Sequence, residues 1–171
     1  MWQYILIIAS ALMLFEFVII GVIRYGLLSC YSAYGPKWHE FYPKLNIWSL
    51  VTYITAIAMV PVLVKNNTSP WQFLGFLAPV SLGLVAASPN YQEGGFYNII
   101  HQVGAWGGVV FIVSYIFTLG KPWLFWIVGG MCVIALIATI ITGWKKWMFW
   151  FEMAVYAMIY VIMFTIIQVK V

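Results

Sequence analysis

The sequence is poor in charge. Only 7% of its 171 residues are charged, and aspartate is absent altogether. A soluble domain carries roughly 25% charged residues, so this chain cannot present an aqueous surface on all sides. Because 65% of the residues are hydrophobic and the mean hydropathy is +1.00, we predict an integral membrane protein whose main partner is the lipid bilayer.

The residues that usually build catalytic or metal sites are also scarce. The chain has two cysteines and two histidines, too few for a His-rich zinc or di-iron site or for a set of thiolate ligands. Serine-hydrolase, zinc-protease, Walker and Cys-x-x-Cys motifs are absent. We therefore expect no cofactor and no metal; one mononuclear site of His39, His101 and a glutamate is the alternative left open. The eight cations are scattered, which excludes a nucleic-acid-binding surface.

Long apolar runs are what the sequence does contain. About 20 apolar residues span ~30 Å of hydrocarbon as a helix, and six stretches qualify: residues 4–23, 47–64, 71–87, 96–119, 123–142 and 148–168. The third is the shortest and contains Pro79, which is predicted to kink the helix without ending it. The fold class is thus all-α, a polytopic transmembrane helix bundle of six spans, or of five spans with one re-entrant segment.

The connections between these stretches are mostly short, so residues 1–171 are predicted to form one bundle. Tryptophans mark the ends of the stretches, where amphipathic rings prefer the headgroup zone; they are Trp2, Trp48, Trp71, Trp123, Trp144, Trp147 and Trp150. The only long connection, residues 24–46, is rich in aromatic residues and is expected to cap one end of the bundle at the membrane surface.

Lysine and arginine positions predict the orientation. The first, third and fifth connections carry five of them, Arg24, Lys37, Lys44, Lys145 and Lys146, against Lys65, Lys121 and Lys170 on the other side. By the positive-inside rule, both termini are predicted to lie outside, and the membrane is predicted to be a bacterial inner membrane.

Two glutamates within apolar stretches are the first functional candidates. An ionisable group at the centre of a membrane helix costs roughly 2.5–3.5 kcal/mol on insertion scales. Glu152 shares its helix face with Tyr156 at i+4. Glu16 has only apolar neighbours on its own helix, so its partner would have to come from another helix.

His101 is the third candidate. Its helix face also carries Asn98, Gly104 and Gly108, and the two glycines form a small-xxx-small pair that brings membrane helices close. We therefore expect the imidazole to point at a neighbouring helix. Asn90, in the polar turn before this helix, is proposed to complete a pocket with His101 and Glu152. Ser32, His39 and Glu40 are loop candidates, and simple interhelical hydrogen-bond struts are the alternative for all the buried groups.

The segment from Gly83 to Asn90, followed by His101, Gly104 and Ala105, resembles a pattern of small six-helix membrane proteins, the uncharacterised bacterial proteins and the Frag1/DRAM type, whose sequence runs Gly-h-h-x-x-x-Pro-Asp … His-x-x-Gly-Ala. A more distant similarity is to membrane hydrolases of the alkaline ceramidase and adiponectin-receptor kind, which would imply Ser, Asp and several His around zinc. This chain has Asn90 in place of the aspartate and lacks the late His-x-x-x-His pair.

Two functions follow. The favoured one is a non-enzymatic membrane protein whose Glu/His polar cluster binds a proton, an ion or a small ligand, or holds together a homo-oligomer or a larger membrane complex. The alternative is a membrane-embedded hydrolase or lipid-modifying enzyme, with His101 as base or metal ligand, Ser32 as polar partner and Asn90 orienting a carbonyl. An accessory subunit that only scaffolds a larger complex is the third interpretation.

Overall fold

A computed structural model describes residues 1–42 and 46–168. These residues form seven α-helices, which we number in chain order, and no β-strand: α1 Trp2–Tyr25, α2 Tyr34–Phe41, α3 Ile47–Lys65, α4 Leu74–Ala86, α5 Gly95–Thr118, α6 Trp123–Thr142 and α7 Trp147–Gln168. Three single helical turns, Tyr31–Ala33, Tyr91–Glu93 and Trp144–Lys146, lie in the connections. The all-α prediction is confirmed. Lys44 and Lys170, used above to predict the orientation, lie outside the described residues.

Within the described residues, five helical stretches are long and apolar enough to cross a membrane: α1, α3, α5, α6 and Trp144–Ile167, which includes most of α7. Helix α4 has 13 residues, about 20 Å at 1.5 Å per residue. It begins three residues later than predicted because polar side chains hold the preceding segment in turns. The Asn67 side chain accepts from Ser69 N at 2.9 Å, and Ser69 Oγ accepts from Trp71 N at 3.3 Å. Such local bonds compete with helix formation. Pro79 does not end α4.

Helices α3, α4 and α5 pack side by side in alternating directions. At one end the Tyr115 hydroxyl on α5 donates to the carbonyl of Leu63 on α3 at 2.6 Å. At the other end the rings of Trp48 on α3 and His101 on α5 lie 6.4 Å apart. As the small-residue spacing predicted, Gly104 brings α5 close to α4: a Cβ atom there would lie 2.7 Å from the Ser81 carbonyl oxygen.

Helix α7 packs against α1 and α3, and α6 packs mainly on α7. The Tyr160 hydroxyl on α7 donates to Ser10 Oγ on α1 at 3.2 Å, and both residues are buried. Helix α6 is therefore the outermost helix, with much of its surface left uncovered by the described chain.

Residues 26–42, which follow α1, fold over one end of the bundle, which we call the capped end. Tyr34 is fully buried there, and its hydroxyl donates to the Gly26 carbonyl at 2.9 Å. Phe149 N at the start of α7 donates to the Ser29 carbonyl at 3.0 Å. Trp48 is 0% exposed beneath this cap, so its ring is packed within the protein.

Candidate functional site

A cavity of about 250 Å³ lies between α3, α4, α5 and α7. We call it the first cavity. Its polar lining residues come from the capped end of the bundle, and they are Cys30, Tyr31, Ser32, Tyr91, His101, Gln102, Glu152 and Tyr156. Most of the remaining lining is apolar, including Met59, Leu63, Leu82, Val85, Val109, Ile112, Val155 and Ile159. The cavity is therefore polar at one end and apolar along the rest of its length.

Glu152 enters this cavity from the second turn of α7. Its Oε2 atom accepts a hydrogen bond from the backbone N–H of Tyr31 at 2.5 Å. Tyr31 is held in turn by a 3.1 Å hydrogen bond between its hydroxyl and Thr52 Oγ1 on α3, and by an edge contact with the Tyr156 ring. Burial raises the pKa of Tyr31, so its phenol stays neutral. The carboxyl group is thus fixed to the cap by one oxygen.

His101 is 4% exposed and sits on the first turns of α5. Its Nδ1 atom lies 3.5 Å from Ser88 Oγ. The Ser88 hydroxyl already points at the carbonyls of Leu84 and Val85, at 2.9 and 3.0 Å, so Ser88 can only accept from the imidazole. That arrangement favours the tautomer with hydrogen on Nδ1 and leaves Nε2 as an acceptor.

Tyr91, from the turn before α5, covers the imidazole. The two rings stack with centroids 4.0 Å apart and an interplanar angle of 18°. The Tyr91 hydroxyl reaches Cys30 Sγ at 3.4 Å, and Gln92 donates to the same hydroxyl at 3.2 Å. Burial is the main cause that raises the pKa of Tyr91 to about 12. Ser32 Oγ donates to Cys30 Sγ at 3.4 Å. The contact between Tyr91 and Cys30 therefore joins the third connection to the first one over His101.

Four of the residues predicted from the sequence meet at the first cavity: His101, Glu152, Tyr156 and Ser32. His101 belongs to α5, Glu152 and Tyr156 belong to α7, and Ser32 belongs to the cap. These three elements are not consecutive in the chain. His101 and Glu152, which the sequence analysis placed in one pocket with Asn90, both line this cavity, and Asn90 does not.

Glu16 does not join them. It is exposed on α1, on a face with Leu12, Ile19 and Ile20, which are 65%, 57% and 42% exposed. This face points away from the other helices, and among the described residues Glu16 forms no hydrogen bond or ion pair.

The remaining candidates also lie outside the first cavity. The α5 wall of the cavity begins at His101 and continues to Ile112, so Asn98, one turn earlier, falls beyond it. Asn90 is exposed in the turn before α5, where its backbone carbonyl accepts from Glu93 N at 2.9 Å. His39 and Glu40 are exposed on α2, where Glu40 pairs with Lys37 at 3.3 Å.

Sequence reasoning missed Tyr31, Tyr91, Ser88 and Cys30. Tyr91 and Ser88 lie in the same polar turn as Asn90, which was the residue predicted to contribute to the pocket. Stacking on His101 depends on the path of this turn over α5. For Tyr31 no sequence signal exists, since its contribution is a backbone N–H.

The arrangement offers hydrogen bonds more readily than nucleophilic chemistry. The Ser88 hydroxyl is directed at backbone carbonyls, and Cys30 contacts Tyr91 and Ser32 instead of the imidazole. Neither is placed for deprotonation by His101, as a nucleophile would need to be. Within the described residues, no three His, Cys, Asp or Glu side chains are close enough to hold a metal ion together. Comparison with models of protein families, with curated proteins and with solved structures finds no match to this chain.

Proposed function

We propose that this protein binds a small, largely apolar molecule inside the membrane through one polar group, held at the His101–Glu152 end of the first cavity. The observation that carries the proposal is that both side chains, from α5 and α7, line one cavity that is polar at this end and apolar along the rest of its length. Small-molecule sites have this composition, a mainly apolar wall with a few polar groups that orient the ligand.

The distribution of polar groups favours binding over conduction. An ion pathway needs carbonyls, charged rings or water-lined surface along its length. Here the acid–base groups are gathered at the capped end, and the wall beyond His101 continues with Gly104, Gly108 and Ile112. A molecule with one polar end matches this change from polar to apolar lining, whereas a hydrated ion would find no polar groups to bind it in the apolar part of the cavity.

The geometry gives the hydrolase alternative less support. A hydrolytic reaction needs a nucleophile or a water molecule activated by a base. His101 can accept a hydrogen bond at Nε2, but the nearby hydroxyl and thiol are directed elsewhere.

We also infer six membrane crossings, with α4 as the third. Gly75 near the start of α4 lies against Leu63 and Tyr115, while Ser88, just after its end, lies beside His101 at the capped end. A re-entrant segment would return to the end from which it started. Arg24, Lys37, Lys145 and Lys146 flank the capped end, which supports a cytoplasmic position for it and outside positions for both termini in a bacterial inner membrane.

Photoreactive six-carbon probes test the binding proposal. The protein in liposomes is exposed to diazirine-bearing hexylamine or hexanol, and the labelled residues are identified by mass spectrometry. We expect labels on residues that line the first cavity. Glu152→Gln keeps an oxygen for the Tyr31 N–H and removes the carboxyl group, while His101→Phe keeps a ring stacked on Tyr91 and removes the acceptor. Each is expected to weaken labelling roughly 10- to 100-fold, the effect of losing a hydrogen bond to a charged or buried group.

Glu16→Gln is the matched control, because it neutralises a glutamate of another apolar helix that does not line the cavity. Its labelling should equal that of the unsubstituted protein. Labels scattered over the lipid-facing surface, or equal labelling of all three variants, would contradict the proposal.

A further inference from the structure

A second cavity, also of about 250 Å³, lies between α5, α6 and α7. It shares three lining residues with the first cavity: Val109 on α5, and Phe151 and Val155 on α7. The two cavities therefore adjoin one another across these side chains. Their combined space falls in the range of about 300–1,000 Å³ that is typical of small-molecule sites, which neither reaches alone.

The second cavity is apolar throughout most of its lining, which includes Val113, Val128, Met131, Ala135, Leu136 and Met158. Its outer walls are α5 and α6, whose closest ring contact joins Phe117 and Phe125, with centroids 4.5 Å apart. Helix α6 packs mainly on α7, so the space between α5 and α6 faces the bilayer. A hydrocarbon chain can enter there without crossing a polar surface.

The charges at the polar end restrict the head of such a molecule. Glu152 is the only glutamate, aspartate, lysine or arginine among the described residues that line either cavity. His101 offers an acceptor at Nε2. A phosphate or carboxylate head would meet a carboxyl group with no cation to balance it. An amine can donate to both groups, and a hydroxyl can donate to either one.

We propose that the ligand is a single-chain amphiphile with an amino or hydroxyl head, which enters sideways from the bilayer. Its head lies between Glu152 and His101, and its chain passes Val109 and Val155 into the space between α5, α6 and α7. This inference rests on the proposed function and adds the class of ligand. Because the chain moves from one hydrocarbon environment to another, the head supplies most of the affinity and the second cavity selects for chain shape.

Two comparisons test the inference: probes with different hydrocarbon chain lengths, and variants with a larger side chain at the junction of the two cavities. Probes of 6 and 16 carbons with an amino head, and a 16-carbon probe with a carboxyl head, are compared in liposomes. In the unsubstituted protein the 16-carbon amine should label α6 residues that line the second cavity, and the carboxyl probe should bind at least about tenfold more weakly. Val109→Phe fills the junction, so it should weaken labelling by the 16-carbon amine roughly tenfold more than labelling by the 6-carbon amine.

Val110→Phe is the matched control. It makes the same change at the next residue of α5, which is 59% exposed on the outer face, and both probes should label it as they label the unsubstituted protein. Val155→Phe narrows the junction from the α7 side and should repeat the effect of Val109→Phe. The labelled positions in the unsubstituted protein test the inference even if a variant fails to fold.

The outcomes separate the two proposals. If the 6-carbon amine labels the first cavity but the 16-carbon amine never labels α6, or is unaffected by both substitutions at the junction, the chain assignment is overturned and the proposed function stands. Equal binding of the carboxyl and amino probes overturns the head assignment. If no probe labels the first cavity in a manner that depends on Glu152 or His101, the proposed function itself fails.

Discussion

Replacing Gly104 by alanine provides the sharpest test of how α5 is held against α4. The added Cβ atom would lie 2.7 Å from the carbonyl oxygen of Ser81 and 2.9 Å from the backbone nitrogen of Val85. Both are main-chain atoms of a packed helix, so neither can rotate away as a flexible side chain would. The two helices must separate instead.

The expected cost follows from this displacement. The contact between Cβ and the carbonyl oxygen must lengthen by about 0.7 Å to reach the 3.4 Å of ordinary van der Waals contact. Overpacking of this kind costs about 1–3 kcal/mol, and the better helix propensity of alanine returns up to about 1 kcal/mol. We therefore expect Gly104→Ala to lower the free energy of unfolding by about 1–2 kcal/mol.

Gly108→Ala is the matched control, one turn further along the same face. Its Cβ would lie 3.5 Å from Ser81 Cβ and 3.8 Å from the Ala78 carbonyl oxygen, which are ordinary contacts. This variant should be as stable as the unsubstituted protein, or more stable by up to about 1 kcal/mol. Reversible unfolding by sodium dodecyl sulfate in mixed micelles, followed by circular dichroism, measures both. Equal stabilities for the two variants would refute the close approach of α5 and α4.

Two further predictions concern tyrosine hydroxyls. Tyr115→Phe removes the 2.6 Å hydrogen bond to the Leu63 carbonyl near the end of α3 and should lower the free energy of unfolding by about 0.5–1.5 kcal/mol in the same assay. The control is Tyr53→Phe, at a side chain that is 39% exposed, which should leave the free energy of unfolding unchanged. Equal losses of stability in the two variants would argue against a role for the hydrogen bond. The pKa of Tyr91 is about 12 in the folded protein and near 10 when unfolded, so rising pH in this window deprotonates the unfolded state first and lowers stability. Tyr91→Phe should make the fall in unfolding free energy between pH 10 and 12 shallower, and an unchanged slope would contradict the burial of this phenol.

Much of the fold follows from runs of consecutive residues. The helical stretches of α1, α3, α5, α6 and α7 were predicted within a few residues, because long apolar runs bounded by polar turns leave little other choice in a membrane. The start of α4 was missed, since Asn67 and Ser69 bond to the backbone of the turn instead of allowing a helix to begin at Trp71. Helix α2 was predicted only as an interfacial cap.

The candidate site was predictable in part. His101 could be assigned to a helix–helix interface because it shares a face with Gly104, and small residues mark close packing in membranes. Ser88 and Tyr91 are brought to the imidazole by the path of a turn, and the bond from Tyr31 to Glu152 joins residues 121 positions apart. The periodicity of hydrophobic residues describes single helices and contains no information about contacts between residues that are distant in the sequence.

Composition and the lengths of the apolar runs therefore determined, without any structure, that this chain is helical and suited to a membrane, since both are properties of neighbouring residues. The surroundings of the two glutamates within apolar helices were decided by tertiary structure alone. Glu16 and Glu152 both lie in apolar helices, yet Glu16 is exposed on the outside of α1 while Glu152 faces a cavity and accepts the N–H of Tyr31. The difference arises because α7 is covered by the cap and by α3 on the side that carries its carboxyl group, whereas none of the described residues covers the side of α1 that carries Glu16.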